Sequence, residues 1–154
     1  MAAFWGCNLF YRWMIGAAAL AMCVVVNDRC MAAGAVAVGE PADVSKDGVA
    51  IFTFVNADNA AEAKRKALEG CKGLEHASAT SKALCKVVAT FENQCVAESL
   101  DPKSGTPGFG WAMARNSGSA REQALSNCRD TAGPTRQDAC VVEARALWCD
   151  GSAK

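Results

Sequence analysis

Ala67-Leu68-Glu69-Gly70-Cys71 returns later in the chain as Ala124-Leu125-Ser126-Asn127-Cys128, and this echo decides the fold. It belongs to a longer match. Upstream, at an offset of 60 positions, Ala37 answers Ala97, Gly48 answers Gly108, Asn56 answers Asn116, Asn59 answers Ser119 and Glu62 answers Glu122. A three-residue difference precedes the echo, and beyond it Cys85 answers Cys140. Self-similarity on this scale reads as one supersecondary unit used twice. The expected pseudo-repeats cover about residues 34–93 and 94–150.

Each copy carries the same succession of patterns. In the first, Gly34 to Gly39 is an apolar run that suits a strand, Glu40 to Asp47 is a turn-rich linker, and Val49 to Val55 is β-branched and aromatic like a buried strand. Asn59 followed by Glu62 forms a capping box, and Ala63, Ala67, Leu68 and Cys71 then recur at helical spacing to give one apolar face. From Cys85 to Phe91 the chain alternates, with Cys85, Val87, Ala89 and Phe91 on one side. Glu92-Asn93 suits a tight turn, so Gln94 to Ser99 is expected to return as the second arm of a hairpin. In the second copy Phe109 to Arg115 reads as a strand, and Ser119 with Glu122 as the capping box. Ala120, Ala124, Leu125 and Cys128 form the helix face, Ala139 to Arg145 reads as a further strand, and Leu147 to Cys149 as a closing segment. The expected class is α+β: a duplicated ββαβ unit with a largely antiparallel sheet, two helices on one face, and disulfide staples.

The leader and the cysteines point to one compartment. Residues up to Arg12 are followed by an apolar run from Trp13 to Val26, 14 residues long, against the roughly 20 that a membrane span requires. It reads as the core of a signal peptide covering residues 1–35, with cleavage between Ala32 and Ala35 and no stable membrane anchor afterwards. Of the nine cysteines, Cys7, Cys23 and Cys30 would leave with the leader, and Cys71, Cys85, Cys95, Cys128, Cys140 and Cys149 remain in a single domain over 36–154. An even set in a small exported chain reads as a disulfide framework. If equivalent cysteines do equivalent things, Cys71 pairs with Cys85 and Cys128 with Cys140, which leaves Cys95 for Cys149.

Several functions are excluded by what the chain lacks. From Val36 onward there are 14 Lys plus Arg and 15 Asp plus Glu, a net charge of −1, without the basic footprint of a nucleic-acid binder. Lys64-Arg65-Lys66 lies within the first helix as its solvated face. The chain has a single histidine, His76, in a polar stretch, and its cysteines lack the close spacing of zinc ligands, so no metal and no cofactor are expected. Gly105, Gly108 and Gly110 lack the GxGxxG spacing and lead into a strand rather than a helix. Glu92, Glu98, Asp101 and Glu143 lie near strand ends and would allow a paired-carboxylate hydrolase, although nothing selects a pair. The binding reading rests on the Pro- and Gly-rich loop from Ser99 to Gly110. It offers Asp101, Lys103 and Phe109, with Trp111 just inside the next strand, as contacts for a protein partner.

Gly34-Ala35-Val36-Ala37, the two Ala-Leu-x-x-Cys motifs, Cys85 to Ala97 (CKVVATFENQCVA) and Gly110-Trp111-Ala112 together resemble the bacterial domain-of-unknown-function 4189 family, over roughly Gly34 to Cys149. The loop between Cys71 and Cys85 is longer here. The resemblance implies a short exported protein without an established catalytic residue. Because some relatives act as periplasmic immunity proteins, it also implies a non-enzymatic inhibitor that neutralises a toxin delivered by rival bacteria. A small envelope hydrolase or a structural envelope protein are the alternatives.

Overall fold

In the computed structural model, which describes residues 33–154, the elements run β1 (Ala33–Gly39), α1 (Val44–Asp47), β2 (Ala50–Ala57), α2 (Ala60–Gly73), α3 (Ala79–Ala83), β3 (Lys86–Phe91), β4 (Cys95–Leu100), β5 (Phe109–Ala114), α4 (Ser117–Ala132) and β6 (Leu147–Cys149). The leader and the earliest of its cleavage positions lie outside the described residues. The class is α+β and all strand pairing is antiparallel. Among the described residues the strands divide into two sheets of three, ordered β2-β1-β3 and β5-β4-β6. The duplication therefore shows as two small sheets, each with its own long helix, where the sequence suggested one sheet under both.

The division follows from what happens at Glu92-Asn93. β3 pairs with β1 and β4 pairs with β5 and β6, so the expected hairpin does not form and the chain crosses there from one sheet to the other. Asn93 takes a left-handed conformation (φ 52°), a turn that asparagine tolerates. One face of each sheet packs under a helix. Ala35, Ala37 and Ala50 meet Ala63, Ala67 and Cys71 of α2, while Cys95, Ala97 and Ala112 meet Ala120 and Ala124 of α4. The opposite faces meet each other through Val36, Val38, Ile51 and Phe91 from one sheet and Val96, Trp111 and Met113 from the other. The order of layers is helix, sheet, sheet, helix.

Alternation predicts Cys85, Val87, Ala89 and Phe91 on one side, but a bulge in the β1–β3 pairing makes Val36 face Ala89 and Ala37 face Val87. Cys85 and Val87 consequently pack towards α2, whereas Ala89 and Phe91 enter the layer between the sheets. An extra residue inverts the faces beyond it. The second helix is also capped differently from the expectation. Asn116 Oδ1 accepts from Ser119 N (2.8 Å), just as Asn59 Oδ1 accepts from Glu62 N (2.9 Å). The three-residue difference between copies thus falls before the helix, and Ser119 is a first-turn residue rather than the cap. The strand expected over Ala139–Arg145 is replaced by two 3₁₀ turns, Gln137–Ala139 and Ala144–Ala146, around a single bridge from Val141 to Leu100. The counterpart of β3 is β6, since Leu147 stands opposite Ala97 as Val87 stands opposite Ala37. The linker 40–47 and the polar stretch after α2 contain short helices, α1 and α3, capped by Asp43 and Ser78.

The buried positions of the helix-facing layers are alanines and cysteines, with Val142, which brings helix and strand backbones close together, and larger side chains such as Phe52, Phe54 and Leu125 pack at their margins. A Cβ at Gly110 would fall inside contact distance of the Cys128 backbone nitrogen in α4. Gly→Ala in an unstrained strand stabilises by about 0.4–1 kcal/mol through the unfolded chain, whereas overpacking against backbone costs about 1–3 kcal/mol. Here the second effect wins, because rotating a side chain cannot relieve a backbone clash. Gly110→Ala is expected to lose about 2 kcal/mol, read as a lower midpoint in urea.

Among the described residues six cysteines form three disulfides, Cys71–Cys85, Cys128–Cys140 and Cys95–Cys149, which are the pairs the duplication suggested. The first two tie each long helix to the segment that follows it. The third joins neighbours on β4 and β6. The copies are also joined through the last residues. Asn56 N donates to the buried Asp150 carboxylate (2.7 Å), Gly151 N donates to Asn56 Oδ1 (3.1 Å), and Ser152 N donates to Asn93 Oδ1 (3.1 Å).

Candidate functional site

Where the two sheets part at one end, a cleft of about 400 Å³ opens between α1 and the loop 101–108. The β-strand period builds its floor. On β4, Cys95, Ala97 and Ser99 turn towards α4, so Val96, Glu98 and Leu100 turn towards the other sheet. Ile51, Val49 and Phe109 form apolar walls, and the exposed Lys46 and Lys103 stand at the mouth. Ser45, Asp47, Ser99, Ser104 and Thr106 also line it, so the cleft presents apolar walls among many polar groups.

Glu98 is the chemical centre of the cleft. Thr53 Oγ1, from β2 of the opposite sheet, donates to Glu98 Oε1 (3.0 Å). Burial penalises the ionised form and pushes the carboxyl up to about 7, while the Thr53 hydrogen bond pulls the other way without prevailing. At the 60-residue offset Val38 answers Glu98 and Met113 answers Thr53. The matching position in the first copy is therefore apolar. A second cleft, about 670 Å³, lies there, with Val38 in place of Glu98 and Trp111 in place of Ile51. A charged residue at one copy's apolar position was the signal, available in the sequence, that singles out Glu98 among the carboxylates.

The residues expected to contact a partner separate into three situations. Asp101 is buried and is engaged within the molecule. Arg136 Nη2 donates to its Oδ1 (2.6 Å), Arg136 Nε donates to its Oδ2, and Lys103 N donates to Oδ1 (3.0 Å). The Arg136 guanidinium holds this carboxyl well below the usual carboxylate range. Asp101 is thus a clamp for the loop rather than a contact surface, and Asp101 N donating to Gly108 O (2.9 Å) closes the loop's base. Sequence reasoning missed Arg136, which lies 35 positions away on the far side of α4. Lys103 is exposed at the cleft mouth and Phe109 lines its wall. Trp111 contributes to the layer between the sheets and borders the second cleft.

The four carboxylates do not assemble into a pair of free acids. Glu92 is exposed at the crossover, Glu143 is paired with Arg145 (2.7 Å), and both oxygens of Asp101 are occupied. His76 is exposed, and among the described residues no three His, Cys, Asp or Glu side chains are grouped to hold a metal ion. No helix among the described residues is long and apolar enough to cross a membrane. Three disulfides in so small a domain are those of a protein that matures in an oxidising compartment.

Neither the curated proteins nor the solved structures contain a match to the chain. One family model does match, described as a domain of unknown function and covering residues 33–146, from the first residue of β1 to the turn before β6. It spans both copies and all but one of the paired cysteines, and the chain belongs to the DUF4189 family.

Proposed function

We propose that this protein is a non-catalytic, exported binding domain of the periplasm, an inhibitor or immunity protein that captures a toxin-like protein partner at the cleft between α1 and the loop 101–108. The observation that carries this reading is the clamped loop. Arg136 and the two ends of the loop hold Lys103 and Phe109 in place beside a preformed cleft, so little entropy is lost when a partner docks. A hydrolytic reading would need a second free carboxylate beside Glu98, and Asp101 is sequestered with its side chain fully covered.

Affinity capture of the oxidised protein from periplasmic extracts of the producing organism and its competitors tests this. One dominant toxin-like partner is expected, held at least tenfold more weakly by Phe109→Ala, as loss of an aromatic hot-spot anchor costs about 2 kcal/mol or more. Absence of any specific partner would sink the reading. Export predicts a cleavage site too. Ala33 and Ala35 are core residues of β1, so cleavage should leave Ala33 in the mature chain. Mass spectrometry of the secreted protein reads this directly, and an N-terminus beyond Ala33 would contradict it.

A further inference from the structure

Glu98 lines the cleft beside the apolar Val49, Ile51 and Phe109, with only one donor, Thr53, on one of its two oxygens. Among the described residues no cation pairs with it. An ionised carboxylate can accept about four hydrogen bonds, so most of this group's capacity is unused within the described residues. The remaining charges around it are accounted for. From β2 comes only the Thr53 hydroxyl. Asp101 at the base of the loop is committed to Arg136, and beside the hollow on the other side of Glu98 the exposed Arg145 pairs with Glu143 at the surface. α1 contributes Lys46 and Asp47, and the loop contributes Lys103. Both lysines are exposed, in water where their fields are screened, whereas Glu98 sits in a medium of lower dielectric.

We propose that the cleft seats a single basic side chain of the protein partner, its ammonium or guanidinium on the Glu98 carboxylate and its aliphatic stem along Val49, Ile51 and Phe109. This rests on the reading of the cleft as the partner site. A long side chain with an apolar stem and a charged tip matches walls that are apolar and a floor that is anionic. An anionic group drawn in by the lysines would be repelled at the floor, and a purely apolar group would leave the carboxyl without a counter-charge. The lysines at the mouth in turn disfavour a uniformly basic segment, so the occupant is one basic residue among neutral or acidic ones. Because burial places the carboxyl at about 7, the pairing should strengthen as pH rises through that value, and weaken by up to about tenfold per pH unit below it.

The test is a titration of the isotopically labelled, oxidised protein followed by amide NMR. The probes are N-acetyl-lysine methylamide, its norleucine counterpart with the same stem but no ammonium, and N-acetyl-glutamate methylamide. Saturable shifts at Ile51 and Phe109 are expected with the lysine probe. They should be at least tenfold weaker with the norleucine probe, and equally weakened for the lysine probe by Glu98→Gln. No saturable shift, equal binding of the neutral or anionic probe, or full binding by Glu98→Gln would each overturn the proposal. Failure of the capture experiment would remove the partner reading without deciding this titration. A captured partner that ignores Glu98→Gln would remove this inference alone.

Discussion

Replacing Cys95 and Cys149 together by alanine is expected to destabilise the oxidised protein by about 4 kcal/mol, the largest loss of any single bridge. The cross-link closes a loop with a sequence separation of 54, against 14 and 12 for Cys71–Cys85 and Cys128–Cys140. In the chain-entropy account, loops of the shorter lengths are worth about 3 kcal/mol each and the longest about 4. Location adds to the effect. β6 has only three residues, and its pairing with β4 consists of Cys95 with Cys149, Val96 with Trp148 and Ala97 with Leu147. The alanine-rich core cannot compensate, since an alanine removes far less apolar surface from water than leucine or phenylalanine. Beyond β6, Asp150 to Ser152 hold the two copies together, so freeing this strand also loosens that joint. Thermal unfolding by circular dichroism should show the midpoint falling by about 15 °C. A fall smaller than that caused by removing Cys71–Cys85 would contradict the ranking.

Glu98→Gln should make the protein more stable at pH 8 and leave it nearly unchanged at pH 4.5. The folded state holds this carboxyl at about 7 against an ordinary value of 4.5. Between those values the folded protein keeps a proton that the unfolded chain has released, so stability falls as pH rises. The contribution is fully present below 4.5 and is lost as pH passes through about 7. At about 1.4 kcal/mol per pH unit the loss is on the order of 3 kcal/mol, and partial exposure of Glu98 brings the expected difference to about 2–3 kcal/mol. Asp101 acts in the opposite sense. Its carboxyl is held low by Arg136, so its contribution is lost only as pH falls below the ordinary carboxylate range, equally in both proteins. Urea midpoints at pH 4.5 and pH 8 check the claim. A wild type and variant that respond in parallel to pH would show that Glu98 is not held protonated.

The two long helices and the disulfide framework were legible because their determinants are local or repeated, whereas α1 and α3 fall in stretches that read as linker and loop. The Asn59 cap and the spacing of Ala63, Ala67 and Cys71 lie within α2 itself, and a cysteine pair in one copy implies its equivalent in the other. The strand pairing was far less legible. Glu92-Asn93 suits a hairpin turn as well as a crossover, and the alternation of Val87 and Ala89 contains no sign of the bulge that separates their faces. Ala139 to Arg145 reads as a strand, yet only Val141 finds a bridge, because Leu147 to Cys149 takes the place beside β4.

For the site, the sequence offered the loop from Ser99 to Gly110 and a short list of carboxylates, and it could not assign their roles. Asp101 and Glu98 are three positions apart and equally acidic by sequence. One lies against Arg136 from the far end of α4 and is held ionised. The other lies against Thr53 of the opposite sheet and is held near neutrality. Covalent repetition along the chain therefore determined the duplication, the two long helices and the equivalent cysteine pairs by itself. Which sheet each strand joins, and which acid is clamped by Arg136 and which is desolvated beside Thr53, was decided by tertiary packing, because pairing partners and desolvation are supplied by residues distant in the chain.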